Sequence, residues 1–356
     1  MKPADLLEAL VAIPSVSGQE GALADALQAR LEGMGFAVAR KGRNLWFEVG
    51  QGAPRLLLNS HLDTVPPCAG WTSDPLTPVW SGTRLTGLGV NDAKGCVAAM
   101  VLAAAALKAD PAAHPGAAVF AFTAEEETGG AGLGTILGDL GPLDAALVGE
   151  PTGLVPCLAQ RGMLMLRCVA RGVSAHVAHP ELGDNAIHKA ARDITKLAAK
   201  TFDPHPLLGA ASPQVTTIQG GLAKNQLPDA VEFFVDVRTT PNLDNARVAR
   251  DLGAELESEV HVHSARYLPK ATPADHPIAK AAVEASGRAG VGSATASDWA
   301  FLGDLPTVKI GPGDTLRSHR PDEWLDLAEL EGGAAFYGRA IRAYFAHARA
   351  PEVDHA

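Results

Sequence analysis

Short apolar runs without polar alternation recur along the first half of the chain. RLLLN at 55–59, AAVFAF at 117–122 and LDAALV at 143–148 are separated by helix-like segments such as KGCVAAMVLAAAALKA. A strand with one solvated face alternates apolar and polar residues, so uniformly apolar runs indicate strands that are covered on both faces. The alternation of such strands with helical segments predicts an α/β domain with a helix-flanked, mostly parallel sheet.

The sequence pattern changes between about 162 and 270. Strands of alternating polarity, such as AVEFFVDVRTTP, are mixed there with two helical segments, DNAIHKAARDITKLAAK and LDNARVARDLGAELESEV. This mixture predicts a compact α+β unit inserted into the first domain, to which the chain returns with TVKIGPG and a long final helix. We therefore expect a main domain at 1–161 and 271–356 and an inserted domain at 162–270.

The composition argues against several classes of partner. The 356 residues carry 40 acidic and 30 basic side chains, which gives a net charge of −10. The sequence contains no cluster of Lys or Arg that could bind along a nucleic acid backbone. No run of 18 uncharged apolar residues or signal-peptide pattern is present, so we expect no membrane partner. The cysteines form no C-x-x-C pair, which predicts buried free thiols and a reducing cytoplasm: Cys68, Cys96, Cys157 and Cys168.

Titratable side chains follow the apolar runs at the points where the predicted strands end. His61 and Asp63 follow the first run, Glu125, Glu126 and Glu127 the second, and further candidates follow later segments: Asp92, Glu150 and His319. The carboxyl ends of parallel strands meet at one edge of a sheet, where α/β proteins bind ligands. Two histidines with several carboxylates suit zinc, cobalt or manganese, and five ligands fit two metals that share a carboxylate better than one.

Each of these residues also has an ordinary structural interpretation. His61 is a candidate capping or hydrogen-bonded histidine and Asp92 a candidate helix N-cap. Glu150 reads equally as a turn residue before Pro151, and His319 as a surface-loop histidine. Only their joint recurrence at strand ends favours a metal site.

The adjacent glutamates raise a geometric question. Neighbours in a strand point to opposite faces, so Glu126 and Glu127 can serve one site only if the backbone turns at the end of the strand. We predict a loop that starts near Ala124.

Six sequence strings, in this order and spacing, carry a family resemblance: HLDTVPP, GLGVNDAKG, FTAEEETGG, VGEPT, GVSAHVAHP and GPGDTLRSHRPDE. Over nearly its whole length the chain resembles the zinc aminoacylase family that includes acetylornithine deacetylase and succinyl-diaminopimelate desuccinylase. The resemblance implies a zinc-exopeptidase-like catalytic domain in the main domain and a lid and dimerisation role for the inserted one. It also implies a hydrolase with two Zn²⁺ ions, Co²⁺ being an alternative metal.

The resemblance implies a role for each matched residue. Asp92 would bridge the two ions, and Glu126 would act as the general base. Asp63 would orient the His61 imidazole without binding a metal itself. The remaining ligands would be His61 and Glu150 for one ion and Glu127 and His319 for the other. The resemblance further implies a cis peptide bond at Asp92–Ala93. Glu125 stands where many relatives carry Asp.

Three residues resemble substrate-binding or lid positions of the family: His176, Asn225 and Arg238. His176 would stabilise the oxyanion and, in relatives, comes from the partner subunit of a homodimer, although a histidine bonded within a lid turn is the alternative. Asn225 and Arg238 would bind the substrate and its carboxylate, the alternatives being a turn amide and a surface charge. Gly311 and Gly313 would let the backbone approach the substrate closely, or they shape a turn.

The implied reaction is removal of an N-acyl group from a small amino acid, a small-molecule substrate. We expect N-acetylornithine deacetylation in arginine biosynthesis. The alternatives within the family are succinyl-diaminopimelate desuccinylation, acetylcitrulline deacetylation, and release of lysine or ornithine from an amino-group carrier protein. A dipeptidase or carboxypeptidase and a non-catalytic binding module are the alternatives from other classes.

Overall fold

The structure is a computed structural model that describes residues 2–110 and 116–349. The chain forms two compact units. The first comprises residues up to 158, 271–291 and those from 297 onward, and the second comprises 159–270 and 292–296. The predicted boundaries and the lid role of the inserted segment stay predictions, and residues 1, 111–115 and 350–356 of the predicted main domain lie outside the described residues.

The helices are α1 (Pro3–Val11), α2 (Gly21–Gly33), α3 (Gly95–Ala109), α4 (Ala131–Ile136), α5 (Ala186–Ala199), α6 (Asn245–Glu255), α7 (Pro277–Ser286) and α8 (Leu327–Arg349). The strands before the second unit are β1 (Ala39–Lys41), β2 (Asn44–Gly50), β3 (Arg55–His61), β4 (Val79–Ser81), β5 (Arg84–Thr86), β6 (Ala117–Thr123), β7 (Ala145–Val148) and β8 (Cys157–Gln160). The later strands are β9 (Gly162–Arg171), β10 (Ala175–His176), β11 (Ser212–Gly220), β12 (Gln226–Leu227), β13 (Ala230–Thr239), β14 (Glu259–Tyr267), β15 (Lys270–Ala271), β16 (Val291–Ser293), β17 (Thr307–Lys309) and β18 (Trp324–Asp326).

The first unit is organised around a mixed sheet whose centre is parallel. Strands β6, β3, β7 and β17 lie side by side in that order and run parallel, while β1 and β2 extend the sheet antiparallel beyond β6. The predicted fold class is therefore confirmed.

The central strands are buried on both faces, as their uniform apolar sequence predicts. All seven residues of β6 are buried. In β3, Leu56 and Leu58 pack in one core with residues of α3 and α8, whereas Leu57 packs in another with residues of α4 and with Trp299. Because successive residues of a strand point to opposite faces, a strand between two helical layers needs apolar residues at every position.

Helix α3 lies inside this core. By length and composition alone, the stretch Val90–Ala109 would suffice to cross a membrane, but 78% of its most apolar window is buried inside the fold. Its side chains pack with those of α8 and the sheet, as in the core helix of a globular unit. Three of the four cysteines are buried as predicted, but the prediction is wrong for Cys68, which is exposed.

The second unit is an antiparallel sheet with helices, ordered β11, β13, β9, β14. Residues of β13 alternate strictly between buried and partly buried. The buried set packs with apolar residues of α5 and α6, for example Phe233 with Ala190 and Leu252. Alternating strands thus bury one face under helices, which is the α+β arrangement that the sequence predicts.

Candidate metal centre

The chain turns sharply at the end of β6. The strand ends at Thr123, and Glu125 takes a left-handed backbone conformation with a φ of 61°. The Gly130 N–H donates to the Glu125 carbonyl over 2.9 Å and closes the turn. The predicted loop near Ala124 is confirmed, and it releases the next two glutamates from strand alternation.

Asp63 holds this loop from the neighbouring strand end. Its two carboxylate oxygens accept the backbone N–H groups of Glu126 and Glu127 at 3.0 and 3.1 Å, and the Ser17 hydroxyl donates to it at 2.7 Å. The His61 Nδ1 lies 2.9 Å from the Asp63 carbonyl oxygen and 3.5 Å from its carboxylate. Asp63 therefore orients His61 mainly through its main chain and uses its carboxylate to place the two glutamates.

Five side chains converge beyond these strand ends, with Asp92 in the middle. Its Oδ1 lies 3.3 Å from the His61 Nε2, and its Oδ2 lies 3.8 Å from the His319 Nε2. The His319 Nε2 is 2.9 Å from the Glu127 Oε1, and the His61 Nε2 is 3.9 Å from the Glu150 Oε1. Asp92 thus faces one imidazole with each oxygen, and each imidazole has its own glutamate.

Three of these side chains have ligand atoms that are all mutually close. One ligand atom each from His61, Asp92 and Glu127 falls within 4.8 Å of the others, a spacing that allows them to hold a metal ion. The parallel register explains why His61, Glu127 and Glu150 meet, since His61 pairs with Thr123 and Asn59 with Val148 at adjacent strand ends. Asp92 and His319 come from segments outside the parallel strands. The structure therefore brings together the whole set of predicted metal ligands.

A carboxylate that the sequence interpretation missed holds the segment that carries Asp92. Glu323 is 3% exposed, and its oxygens accept the N–H groups of Gly89, Asn91 and Asp92 at 3.0, 2.8 and 2.9 Å. The Asp92–Ala93 peptide bond is cis, as the family resemblance implies. The one sequence signal for this side chain is its position, four residues after the predicted ligand His319.

The electrostatics of the cluster call for positive charge. Burial, with the Asp92 carboxylate beside it, raises the pKa of Glu150 to about 8. Burial and the nearby Glu150 raise the pKa of Glu126 well above its usual range. The hydrogen bond with Glu127 raises the pKa of His319 to about 9. Glu126 and Glu150 are thus stabilised as anions only beside a cation.

The donor set fits divalent cations. For His61, burial acts to lower the pKa, but hydrogen bonds with Asp63 and Asp92 outweigh it and raise the pKa well above 6.5. Protonated imidazoles are one source of positive charge, and metal ions bound to the same Nε2 and carboxylate atoms are another. Imidazole nitrogens with carboxylate oxygens are the ligands of zinc and similar borderline ions.

Asp298 is a second buried carboxylate that the sequence interpretation missed. It is 2% exposed, and its Oδ2 accepts the Thr123 hydroxyl at 2.9 Å. Burial raises its pKa to about 6, although the Thr123 hydrogen bond opposes that shift. Its negative charge adds to the rise in the pKa of Glu126. No periodicity or motif in SATASDWAF marked this residue.

The predicted lid residues lie in the second unit. His176, in β10, is exposed, and its Nδ1 accepts the Ala178 N–H at 3.1 Å. Asn225 is adjacent, because its carbonyl accepts the Val177 N–H at 3.0 Å. Arg238 is bonded to Asp236 on its own strand, with Nη2 3.0 Å from Oδ2. The roles of these three residues stay predictions.

The two predicted glycines make close contacts in the first unit. A Cβ at Gly311 would lie 2.6 Å from the Cys96 Sγ and 2.7 Å from the Glu150 carbonyl oxygen. Gly313 has a φ of 88°, and a Cβ there would meet the Asn91 amide at 2.3 Å. These contacts give both glycines a packing function, while approach to the substrate stays a prediction.

The fold and the cluster define the class of this chain. Acidic and imidazole side chains gathered at the carboxyl edge of a parallel sheet, with one buried glutamate beside them, are the arrangement of a metal-dependent hydrolase.

The comparisons identify the family. Residues 57–343 match the Peptidase family M20/M25/M40, and the chain belongs to it. The chain is 32% identical to a succinyl-diaminopimelate desuccinylase of Stenotrophomonas maltophilia (strain K279a), over 95% of this chain and 97% of that protein. A similar protein of Xylella fastidiosa (strain 9a5c) is also 32% identical, over 92% of this chain and 94% of that protein. The predicted hydrolase of amide bonds is confirmed.

Solved structures share the fold. Aminopeptidase PepT from Bacillus cereus ATCC 10987 has a TM-score of 0.80 at 22% identity, covering 96% of this chain and 98% of that one. The Bacillus subtilis YXEP protein, described as a dinuclear metal binding peptidase of the M20 family, has a TM-score of 0.73 at 18% identity and covers 96% of each chain.

Gly311→Ala tests the packing function of this glycine. We expect a loss of about 1–3 kcal/mol in the free energy of unfolding, because the added methyl group must displace a buried thiol or a backbone carbonyl. Gly134→Ala is the matched control, since a Cβ at that helical position meets nothing within 4 Å. Chemical denaturation of both variants gives the comparison, and equal stability would contradict the packing argument.

Proposed function

We propose that this chain removes an N-acyl group from a small amino acid by hydrolysis at a centre of two divalent metal ions. The observation that carries the proposal is the position of Asp92 between two imidazole–glutamate pairs. We assign His61 and Glu150 to one ion, His319 and Glu127 to the other, and Asp92 to both. We propose zinc as the metal, with cobalt as the alternative.

The bound ions would supply Lewis acidity and lower the pKa of a coordinated water towards about 7. Glu126 is the side chain that would accept the proton of this water and pass it to the leaving amine. The residue is 9% exposed, and its pKa is raised by burial and by Glu150, which suits a group that both takes up and releases a proton. Asp63 fixes the peptide N–H of Glu126 and thereby the direction of the base.

Glu126→Gln tests the assignment of the base. We expect kcat to fall by about 10²–10⁴, the usual contribution of a general base, while two metal equivalents remain bound. Asp92→Asn should instead lower the metal content, because it weakens a ligand that both ions share. Glu331→Gln, on the exposed face of α8, is the control. Full turnover in Glu126→Gln, measured together with metal content, would refute the assignment.

Of the two candidate substrates, we place N-succinyl-diaminopimelate first. Relatives at 32% identity over nearly the whole chain carry the name of its desuccinylase. N-acetylornithine, the expectation from the sequence alone, is the second candidate, because the net charge of −10 favours the substrate with fewer carboxylates.

The two candidates are separated by kcat/KM. We expect a higher value for N-succinyl-L,L-diaminopimelate than for N-acetylornithine, loss of activity after chelation, and recovery with added Zn²⁺ or Co²⁺. A higher value for N-acetylornithine would reverse the order of the two substrates. Activity that survives complete metal removal would contradict the metal-dependent mechanism itself.

We further propose a homodimer in which His176 reaches the active site of the partner. Large apolar side chains of the second unit, near His176 or Asn225 in sequence, are exposed: Val173 by 55%, Val177 by 50%, Leu182 by 71% and Leu222 by 91%. Such a concentration of apolar surface is typical of an interaction site. Two copies of the chain would bury it.

Mixed dimers test the exchange of His176. Glu126→Gln and His176→Ala homodimers should both be nearly inactive. Subunits of the two variants, mixed and allowed to exchange, should regain activity, because one site of the mixed dimer combines an intact Glu126 with the partner's intact His176. If the histidine acts within its own chain, no site has both groups and no activity returns.

A further inference from the structure

The turn between β1 and β2 lies against the loop that carries Glu126 and Glu127. Arg43 of that turn and Asn44, the first residue of β2, contact two consecutive residues of the loop. The Asn44 Oδ1 accepts the Ala124 N–H at 2.9 Å, and the Arg43 guanidinium forms an ion pair with the Glu125 carboxylate. The first glutamate of the EEE run therefore points to Arg43, which lies 82 residues away in sequence.

A third carboxylate completes this contact. Glu20 is fully buried, and its Oε1 accepts the backbone N–H of Gly18 at 2.9 Å and of Glu125 at 3.1 Å. Its Oε2 lies 2.7 Å from the Arg43 Nε, an ion pair without the alignment of a hydrogen bond. Arg43 thus pairs with two carboxylates. The Glu20 carboxylate also binds the main chain of Glu125, and the second carboxylate is the side chain of Glu125 itself.

This contact acts on a backbone conformation that is unfavourable by itself. Glu125 has a φ of 61°, and a residue with a Cβ adopts the left-handed region only at a cost. The turn at this residue sets the direction of Glu126, the next residue, whereas Glu127 is also held by its contact with the His319 Nε2 at 2.9 Å. Glu20, Arg43 and Asn44 hold the loop at Ala124 and Glu125, and Asp63 holds it at the N–H groups of Glu126 and Glu127.

We propose that Arg43, with Glu20, is a positioning residue for the general base. Its ion pair with Glu125 keeps that residue in the left-handed conformation and so aims Glu126 at the reacting water. The inference rests on the proposed function, since it assumes that Glu126 is the base. Neither Arg43 nor Glu125 takes part in the chemistry under this proposal, and neither binds a metal.

Arg43→Met removes the guanidinium and keeps the aliphatic stem. We expect kcat to fall by about tenfold or more, because displacing a catalytic group by about 1 Å costs up to 10²-fold in rate. KM and the content of bound metal should stay unchanged. Lys41→Met is the matched control, because it also removes a cation from this hairpin. Lys41 pairs with Asp139 and not with the loop that carries Glu126. This control should keep full kcat.

A second substitution separates positioning from general damage. Glycine adopts positive φ at little cost. The double variant Arg43→Met/Glu125→Gly should therefore have a kcat at least about threefold higher than that of Arg43→Met alone. No recovery would overturn the proposal, as would an Arg43→Met enzyme with full metal content and a kcat within about twofold of the wild type. If Arg43→Met does not fold, the same measurements are made on Glu125→Gln, which weakens the ion pair from the other side. A reduced kcat with unchanged KM supports the proposal, and a full kcat overturns it.

The Glu126→Gln variant keeps the two levels of inference apart. If Glu126→Gln retains wild-type turnover, the proposed function fails. If Glu126→Gln is inactive while Arg43→Met is fully active, the function stands and only the positioning role of Arg43 fails.

Discussion

The carboxylates of Asp92, Glu127 and Glu150 lie near two imidazoles and near a fourth acid, Glu126, in a largely buried cluster. Their mutual repulsion, made stronger by burial, is the physical constraint behind the architecture of the first unit. Divalent cations bound between them would convert this repulsion into ligation. The parallel strands, the sharp turn after β6 and the segment around Asp92 all serve to bring these groups to one place.

The scaffold around the cluster is itself acidic. Asp63, Glu20 and Glu323 are buried carboxylates that accept backbone N–H groups of the segments carrying the ligands. A carboxylate that accepts several amides fixes a loop without the regular hydrogen bonds of a helix or strand. Arg43 offsets part of this negative charge at Glu20 and Glu125. Two segments, the loop after β6 and the segment around Asp92, are thereby held in defined conformations.

The sequence was sufficient for the fold class and for the gathering of several candidate ligands at one edge of the sheet, for a physical reason in each case. Uniformly apolar strands such as β6 reveal burial on both faces, and residues at the ends of parallel strands must meet at one edge. Glu20, Arg43, Glu323 and Asp298 escaped prediction, because their contacts join loops far apart in sequence and follow no periodicity. Cys68 was misjudged because the general tendency of free cysteine to be buried says nothing about one loop position.

The acyl group is fixed by the shape and local potential of a pocket, which composition and motifs do not encode. The chemistry, by contrast, depends on one arrangement of ligands. Anomalous X-ray diffraction from crystals grown with Zn²⁺ tests it directly. The account predicts two zinc peaks about 3.5–4 Å apart, both bonded to Asp92, one also to His61 and Glu150 and the other to Glu127 and His319. Zinc peaks that leave Asp92 without a bond, or no peak beside these side chains, would contradict it.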